Sequence, residues 1–442
     1  MSLRTTGTRT RLAAGLAAGC ALMIGSIANA QENAGIVGQN GWLYYLYDFT
    51  NANEQPAVDK SVRLFSALSD LLEANGTQMV LAVVPAKVRV YPENLPHERA
   101  LTPFLVDHYG NSLDALRGAG VDAVDLQTPF LEQARTGDGD VLFMKLDSHW
   151  SQTGALLAAE RIAQHVAASA EAQAAVDALP ARAYRLDWNP TPQTLALGDL
   201  ASIVPPGTPA FAPEQLRIFN VTAPAGGDLL AEDATPGIAL MGSSFSGTWT
   251  GFPDALRYAL QRDVASVSVA ADRGHWVGLE LFLRDSGFQT QAPKLLVVEI
   301  PERGLAAPPS YPYREARYVM DERLWLRRAA AWITRDCQAA GAVAAGESDG
   351  TWSLQPQGDA YLAATLAVTG PNQISLTWRD AQGAATTQPF EVRGDGTWQA
   401  FRVPLPEGVS VDTLTISGEG ATLLQFEDVA LCRMPALPRL GP

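Results

Sequence analysis

The sequence predicts an α/β domain built on a doubly wound, mostly parallel sheet, followed by an all-β sandwich. From about residue 35 to residue 301, short apolar runs alternate with amphipathic helical stretches, as in βαβ units. Beyond Cys337 the helical pattern stops, and short strands of alternating polarity follow one another with Gly and Asp turns between them. A chain of 442 residues is longer than one hydrophobic core usually serves, so two domains are expected.

Apolar runs in the first part are predicted to be the strands of the parallel sheet. They span residues 79–84, 121–126, 237–241, 264–269 and 295–300. Helical periodicity between them predicts helices at residues 58–74, 151–168 and 253–262. Residues 180–233 are rich in Pro, Gly and Thr and are predicted to run over the surface outside the sheet.

The second part begins after a proline-rich linker at residues 308–312 and a helical segment at 322–334. Its predicted strands span residues 361–368, 373–378, 388–392, 398–403, 413–416 and 423–431. We therefore expect an α/β domain at residues 31–320 and a β-sandwich module at residues 321–442.

The first 30 residues have the organisation of an export signal. Arg4, Arg9 and Arg11 precede an apolar stretch at 12–27, and small residues end at Ala30. Two alternatives stay open: the apolar stretch could remain as a membrane anchor, or Cys20 could be a lipoprotein site. We expect export to an oxidising compartment.

The net charge of the mature chain excludes one class of binding partner. The formal net charge is −15, and removal of the three arginines of the signal takes it to −18. A nucleic-acid partner is not expected, because phosphate binding requires a basic face.

Cys337 and Cys432 are the two cysteines left after cleavage, so we expect a disulfide that joins the two ends of the sandwich. Two unpaired buried thiols are the alternative.

Two short motifs supply an acid, a base and a nucleophile. Asp147 and His149 open a predicted helix, and Ser244 follows a buried strand at the sheet edge where ligands bind in open α/β folds. A serine hydroxyl becomes a good nucleophile when an imidazole takes its proton, and a carboxylate fixes the imidazole tautomer. The alternative is that Asp147 or Ser148 caps the helix and that Ser244 is an ordinary loop residue.

No metal or cofactor is expected from the sequence. The chain has no Cys-x-x-Cys motif, and its histidines show no paired ligand spacing. These histidines are His97, His108, His149, His165 and His275.

Several motifs, taken in order, resemble the alginate O-acetyltransferases of the AlgX and AlgJ type, exported proteins with an SGNH-hydrolase-like domain. They lie at residues 38–44 (GQNGWLY), 84–87 (VPAK), 91–93 (YPE), 145–150 (KLDSHW), 242–246 (GSSFS) and 299–303 (EIPER). The AlgX branch adds a C-terminal carbohydrate-binding β-sandwich, which the predicted second module resembles.

This resemblance implies roles for three residues. Ser244 would be the nucleophile that carries the acetyl group, His149 the general base and acid, and Asp147 the carboxylate that orients the imidazole. Ordinary SGNH hydrolases place the serine first and Asp-x-x-His last, so the order seen here resembles a circularly permuted version of that domain. The first oxyanion donors to consider are the backbone N–H groups of Ser244 and Phe245.

Seven further residues are candidates for contact with a polysaccharide. Arg303 and Lys87 follow predicted strand ends and could face a carboxylated sugar, whereas Trp150 could stack on a sugar ring. In the sandwich, Trp378 with Arg379 and Trp398 with Arg402 are candidates for a sugar platform. Surface charge and core packing are the respective alternatives.

The sandwich departs from what an alginate-binding module should show. Between Cys337 and Pro442 it has five arginines, no lysine and eleven acidic residues, although a polyanion favours a basic surface. Gly304 also stands where similar sequences often have an aromatic residue.

The resemblance implies a periplasmic acetyltransferase. A membrane-bound O-acyltransferase would deliver the acetyl donor, and hydroxyls of mannuronate residues in alginate, or of a similar exopolysaccharide, would accept it. Other alginate biosynthesis and export proteins are the further partners that it implies. Two alternatives stay open: a polysaccharide acetylesterase with the same triad, and a non-catalytic polysaccharide-binding scaffold of an export complex.

Overall fold

The computed structural model describes residues 34–137, 140–223, 236–269, 274–312, 318–346, 350–420, 422–438 and 440. The predicted export signal at residues 1–30 lies outside them. Within these ranges, no helix has both the length and the apolar character needed to cross a membrane.

The first domain contains strands and helices that alternate along the chain. Its strands are β1 Gly35–Val37, β2 Leu43–Tyr45, β3 Gln78–Val84, β4 Ala123–Val124, β5 Arg185–Trp188, β6 Gln193–Leu195, β7 Glu214–Leu216, β8 Phe219–Thr222, β9 Ile238–Gly242, β10 Val264–Ser268 and β11 Leu295–Pro301. Its helices are α1 Gln55–Ala74, α2 Lys87–Val90, α3 Pro103–Gly118, α4 Gln127–Thr136, α5 Gln152–Ala168, α6 Ala170–Asp177, α7 Phe252–Leu260, α8 His275–Arg284 and α9 Ser286–Thr290.

A parallel sheet in the order β10-β9-β11-β3-β4 forms the centre of this domain. All five predicted runs are its strands, so the predicted fold class is confirmed. Successive residues of β3 enter different cores: Leu81 and Val83 pack in one, and Val80 and Ala82 in the other. Because side chains alternate across a strand, the apolar run of β3 is explained by burial on both faces of the sheet.

The second module is a sandwich of two antiparallel sheets, as predicted. Its strands are β12 Gly341–Ala345, β13 Thr351–Pro356, β14 Ala360–Thr369, β15 Gln373–Arg379, β16 Ala385–Glu391, β17 Asp395–Pro404, β18 Thr413–Gly418 and β19 Leu423–Arg433. One sheet has the order β12-β13-β18-β15-β16 and the other the order β17-β14-β19. Sequence reasoning missed β12 and β13, which are rich in small and polar residues.

The two ends of the sandwich are joined as expected. Cys337 and Cys432 form a disulfide across a separation of 95 residues. Just before it, helix α10 (Glu322–Ile333) packs against α1 and α8 on one side and against β17 on the other. Trp325 donates its indole N–H to the carbonyl of Trp276 in α8, and Arg327 pairs with Asp359 of the loop before β14. Helix α10 therefore connects the two modules through its own packing.

The segment predicted to lie outside the sheet forms two small antiparallel sheets of two strands each, β5 with β8 and β6 with β7. Its last ten predicted residues, 224–233, lie outside the described part of the chain. Gly198 lies against the loop that precedes α5, where an added Cβ would be 2.2 Å from the carbonyl oxygen of Leu146. This segment thus packs directly on the loop that carries Asp147.

Candidate active site

In the structure, the side chains of Asp147, His149 and Ser244 are joined by two consecutive hydrogen bonds. His149 Nε2 lies 2.7 Å from Ser244 Oγ, and His149 Nδ1 lies 2.6 Å from Asp147 Oδ1. These distances are those of a nucleophile, a base and an orienting carboxylate. Asp147 and His149 are buried, whereas Ser244 is partly exposed.

The loop before α5 sets the positions of the acid and the base. Ser151 is the N-cap of α5, and its side chain accepts the backbone N–H of Gly154. Asp147 and His149 therefore precede the helix rather than open it, which corrects the prediction. It also removes the alternative role of Asp147 or Ser148 as the cap.

Asp147 is held as a carboxylate by several donors. Burial alone would raise its pKa, but the hydrogen bond and charge of His149 and the amides of Asp199 and His149 outweigh it, so the pKa is lowered. The amide of Asp199 donates to Asp147 Oδ2 at 2.9 Å, and the amide of His149 donates to Oδ1 at 3.0 Å.

Asp199 is a residue that sequence reasoning missed. Its carboxylate accepts the amide of Ser148 at 2.7 Å and the hydroxyl of Ser148 at 2.6 Å. Glu214, from the same segment, accepts the amide of Lys145 at 2.8 Å. No local pattern marks either carboxylate, because both lie in a segment that reads as a surface excursion and act across about fifty or more residues of sequence.

Ser244 stands directly after β9, on a short turn fixed from below by Glu299 of β11. Glu299 Oε2 accepts the amide of Ser243 at 2.9 Å and the hydroxyl of Ser246 at 2.8 Å, and Oε1 accepts the Ser243 hydroxyl at 2.9 Å. Burial raises the pKa of Glu299 to about 6, although these donors oppose the rise. Gly242 leaves room for this contact, since a Cβ there would lie 2.0 Å from Ser246 Oγ.

The expected oxyanion donors differ in their availability. The amide of Phe245 already donates to the Ser243 hydroxyl at 3.2 Å, so that expectation is not supported. The amide of Ser244 has no hydrogen-bond partner among the described residues, and we keep it as the candidate donor.

Lys87 has a structural place, which corrects the prediction that it faces a sugar. Its side chain is buried, and its ammonium donates to the carbonyls of Met144, Lys145 and Asp147 at 2.6, 3.0 and 3.0 Å. Burial lowers the pKa of Lys87 to about 7, and nearby carboxylates only partly oppose this. Lys87 therefore fixes the backbone that carries Asp147.

Trp150 also packs inside the domain, so the expectation that it stacks on a sugar is wrong. It is fully buried and contacts the rings of Phe245 and Phe252. Its indole N–H donates to the carbonyl of Phe245 at 3.0 Å. Trp150 thus ties the loop of His149 to the loop of Ser244.

Arg303, in contrast, lies beside the site. It follows β11, and its guanidinium nitrogen lies 2.8 Å from Asp48 Oδ1. The guanidinium carbon lies 5.7 Å from the ring of Phe245 and 5.0 Å from the ring of Tyr45. Arg303 therefore contacts the residue next to Ser244.

The sandwich candidates separate into buried and exposed residues. Trp378 is buried in the core, and the guanidinium of Arg402 donates to the carbonyls of Ala331 and Thr334 at the end of α10. Both expectations of sugar contact are therefore wrong. Arg379 is exposed, and Trp398 is 44% exposed on β17. These two lie on strands of different sheets, so each is considered separately.

One cluster has atoms of the type that bind metals. Ligand-type atoms of Asp147, His149 and Asp199 lie within 4.8 Å of one another. Hydrogen bonds already join them, since Nδ1 of His149 contacts Asp147 and the Asp199 carboxylate holds Ser148. These bonds account for the clustering of the three residues.

A hydrogen-bonded Ser, His and Asp beside a parallel sheet is typical of several unrelated folds that carry out acyl transfer, and the comparisons specify the family. Residues 36–302 match the family described as "SGNH hydrolase-like domain, acetyltransferase AlgX", and the chain belongs to this family. A relative from Azotobacter vinelandii, named "Probable alginate O-acetylase AlgJ", is 33% identical over 285 residues, which are 61% of this chain and 69% of the relative.

Two solved structures are similar in fold. The O-acetyltransferase domain of Pseudomonas putida AlgJ has a TM-score of 0.55 and 27% identity, and the match covers 67% of this chain and 98% of that domain. Pseudomonas aeruginosa AlgX has a TM-score of 0.65 and 18% identity, with 91% of this chain and 95% of that chain covered. The second match extends over the sandwich and shows that the two-module architecture is shared.

Proposed function

We propose that the chain is a periplasmic polysaccharide O-acetyltransferase that passes an acetyl group through Ser244 to hydroxyls of mannuronate residues in alginate. The observation that carries the proposal is the unbroken series of hydrogen bonds from Asp147 through His149 to Ser244. Membership in an acetyltransferase family and the name of the Azotobacter relative support the reaction and the polymer.

In the first half-reaction, His149 Nε2 takes the hydroxyl proton as Ser244 Oγ attacks the carbonyl carbon of an acetyl ester. The bond to the ester oxygen of the donor then breaks, and the imidazolium returns the proton to that oxygen. The products are acetyl-Ser244 and the free donor alcohol. Asp147, whose pKa is lowered, stays ionised beside the imidazolium and stabilises it.

In the second half-reaction, a sugar hydroxyl gives its proton to His149 Nε2 as its oxygen attacks the acetyl carbon. The bond between that carbon and Ser244 Oγ breaks, and Oγ receives the proton. Water in place of the sugar would release acetate, so the site must favour the sugar over water to act as a transferase.

Arg303 is the proposed contact to the sugar carboxylate. Its guanidinium is 16% exposed and already binds Asp48 through one nitrogen. A guanidinium carries five N–H donors in a planar fork, so a second edge is available for a carboxylate. We propose that it orients the uronate so that a ring hydroxyl reaches acetyl-Ser244.

A membrane-bound O-acyltransferase is the proposed source of acetyl groups, and other alginate biosynthesis and export proteins are the proposed partners. In the sandwich, only the exposed candidates Arg379 and Trp398 are retained as polymer contacts. The acidic composition of this module indicates weak affinity for a polyanion.

The test is mass spectrometry of mannuronate oligomers incubated with an activated acetyl ester and either the native protein or Ser244→Ala. We expect an acetylated oligomer with the native protein and none above background with the variant. Consumption of the ester without acetylated sugar would instead favour an esterase, and no turnover at all would favour a binding or scaffold role.

A further inference from the structure

Trp249 is an exposed tryptophan in direct contact with His149. The imidazole and indole centroids lie 4.9 Å apart with the rings nearly perpendicular at 81°. The residue remains 55% exposed, although a large aromatic side chain normally gains stability from burial. An exposed indole beside a candidate general base offers an apolar surface to a ligand at that site.

The backbone at Trp249 belongs to the turn that follows Ser244. Thr250 is buried, and its hydroxyl lies 2.8 Å from the carbonyl oxygens of Phe245 and of Gly247. Trp249 is therefore held on a turn anchored to the nucleophile loop. A fixed backbone at Trp249 reduces the entropy that binding must overcome.

Gly247 makes room for the indole. Its φ is −59°, so the backbone does not require glycine there. A Cβ at this position would lie 2.7 Å from Trp249 Nε1 and 3.0 Å from Cδ1. The absence of a side chain at residue 247 is what allows the indole to take this position.

Two side chains that suit different parts of a uronate, Trp249 and Arg303, lie close to Ser244. The Phe245 ring lies 4.7 Å from the His149 ring, whose other neighbour is Trp249. The guanidinium of Arg303 lies 5.7 Å from the same phenyl ring. An indole surface suits the C–H face of a pyranose, and a guanidinium suits a carboxylate.

We infer that Trp249 is an acceptor-binding residue on which a pyranose ring of the uronate chain stacks. The inference rests on the proposed function and adds the residue that holds the acceptor sugar beside the imidazole. Stacking buries the exposed indole and the apolar face of the sugar together. A sugar stacked there also lies beside the imidazole of His149 and helps to exclude water from acetyl-Ser244.

The test measures binding without chemistry. A hexamer of mannuronate is titrated by calorimetry into the Ser244→Ala protein and into the same protein carrying Trp249→Ala, Trp249→Tyr or Gly247→Ala. We expect Trp249→Ala to raise Kd about 10-fold, because truncating a buried tryptophan contact typically costs that much. Gly247→Ala should also weaken binding, since it displaces the indole, and Trp249→Tyr should stay within about 3-fold because it keeps an aromatic face.

Val409→Ala is the matched control, because Val409 is a similarly exposed apolar residue, 53% exposed, in the sandwich. A Kd for Trp249→Ala within 2-fold of its parent, as in the control, would overturn the inference. That result, together with acetylation that still depends on Ser244, would leave the proposed function intact. Failure of the parent to bind the hexamer would overturn the inference and the proposed acceptor, whereas acetylation unchanged by Ser244→Ala would overturn the proposed function.

Discussion

The two modules differ in what they bury. Among the described residues, every buried polar or charged side chain lies between Asp48 and Arg327, and the sandwich strands contribute none. A buried polar group lowers the stability of the folded state unless it forms hydrogen bonds or ion pairs. Such groups are therefore rare where burial serves only to stabilise the fold. In the first domain, one group of them surrounds Ser244 and is paired there: Asp147 with His149, and Glu299 with Ser243 and Ser246. Such a paired buried group is typical of a site where geometry matters more than stability.

The lysine and tryptophan residues also differ between the two modules. Lys87 is buried and bound to three carbonyls below Asp147, whereas the sandwich has no lysine from Cys337 onward. Trp249 contacts His149, whereas Trp398, although similarly exposed, has no ring contact with a charged or aromatic residue among the described residues. Among the described residues, buried polar and charged side chains are therefore a feature of the first domain and helix α10, whereas the strands of the sandwich bury apolar side chains.

Replacement of Lys87 should have the largest effect. Lys87→Met leaves the carbonyl oxygens of Met144 and Asp147 without a donor among the described residues, whereas that of Lys145 still accepts the amide of Leu43. We expect the free energy of unfolding to fall by about 3–5 kcal/mol. Urea denaturation measures it, with the exposed Lys294→Met as the control that should be near neutral. An equally small effect at Lys87 would mean that the buried network is not what sets this domain apart.

Replacement of the carboxylate under Ser244 should come next. Glu299→Gln puts an amide nitrogen or a weaker acceptor where two hydroxyls and one amide donate, so the turn should shift and kcat should fall about 100-fold. Steady-state acetyl ester turnover measures it. Glu132→Gln, on an exposed position of α4, should leave kcat unchanged; loss of activity there too would contradict a specific role for Glu299.

The pH dependence of Glu299 has opposite signs for stability and for activity. Because burial raises its pKa to about 6, the protonated form is favoured in the folded state, and its stabilising contribution is lost as pH rises through about 6. The ionised form is the better acceptor for Ser243 and Ser246, so ester turnover should rise over the same interval. The test is to measure the free energy of unfolding and the rate of ester turnover from pH 5 to 8 in the native protein and in Glu299→Gln. In the variant, residue 299 should no longer contribute to the fall in stability or to the rise in turnover.

Removal of the disulfide should affect the other module. Cys337→Ser with Cys432→Ser frees a loop of 95 residues, and we expect a loss of about 2 kcal/mol in the unfolding of the sandwich. This is at the low end for such a loop, because helix α10 still anchors the module. Ester turnover by Ser244 should not change, as calorimetry and kinetics on the same sample would show; a parallel loss of turnover would mean that the site depends on the sandwich.

The smallest effect is expected for the exposed sandwich candidates. Trp398→Ala and Arg379→Ala should change the Kd for a long mannuronate polymer by no more than about 3-fold, because the surface around them is acidic. Affinity electrophoresis with alginate in the gel measures this. A loss of 10-fold or more would give the sandwich a direct role in holding the polymer and would reverse the comparison.

The parallel strands were predictable because each is a short apolar run between helical patterns. The disulfide was predictable from the two cysteines that remain in a chain predicted to be exported. The proximity of Asp147, His149 and Ser244 was predictable from their residue types, their neighbouring elements and the ordered motifs of the resembling family. The roles of Lys87 and Trp150 were misjudged, because sequence shows a cation or an indole near a strand end but not whether it turns inward. Asp199, Glu214 and Trp249 were missed because their importance depends on contacts that no periodicity encodes.

Detection of acetyl-Ser244 would test the proposed mechanism at its central intermediate. The native protein and His149→Ala are mixed with an activated acetyl ester, quenched in acid within one turnover, digested and mapped by mass spectrometry. We expect one acetyl group on the peptide that contains Ser244 in the native protein, and none on that peptide in the variant. Acetylated mannuronate formed by a protein that never carries acetyl on Ser244 would contradict it.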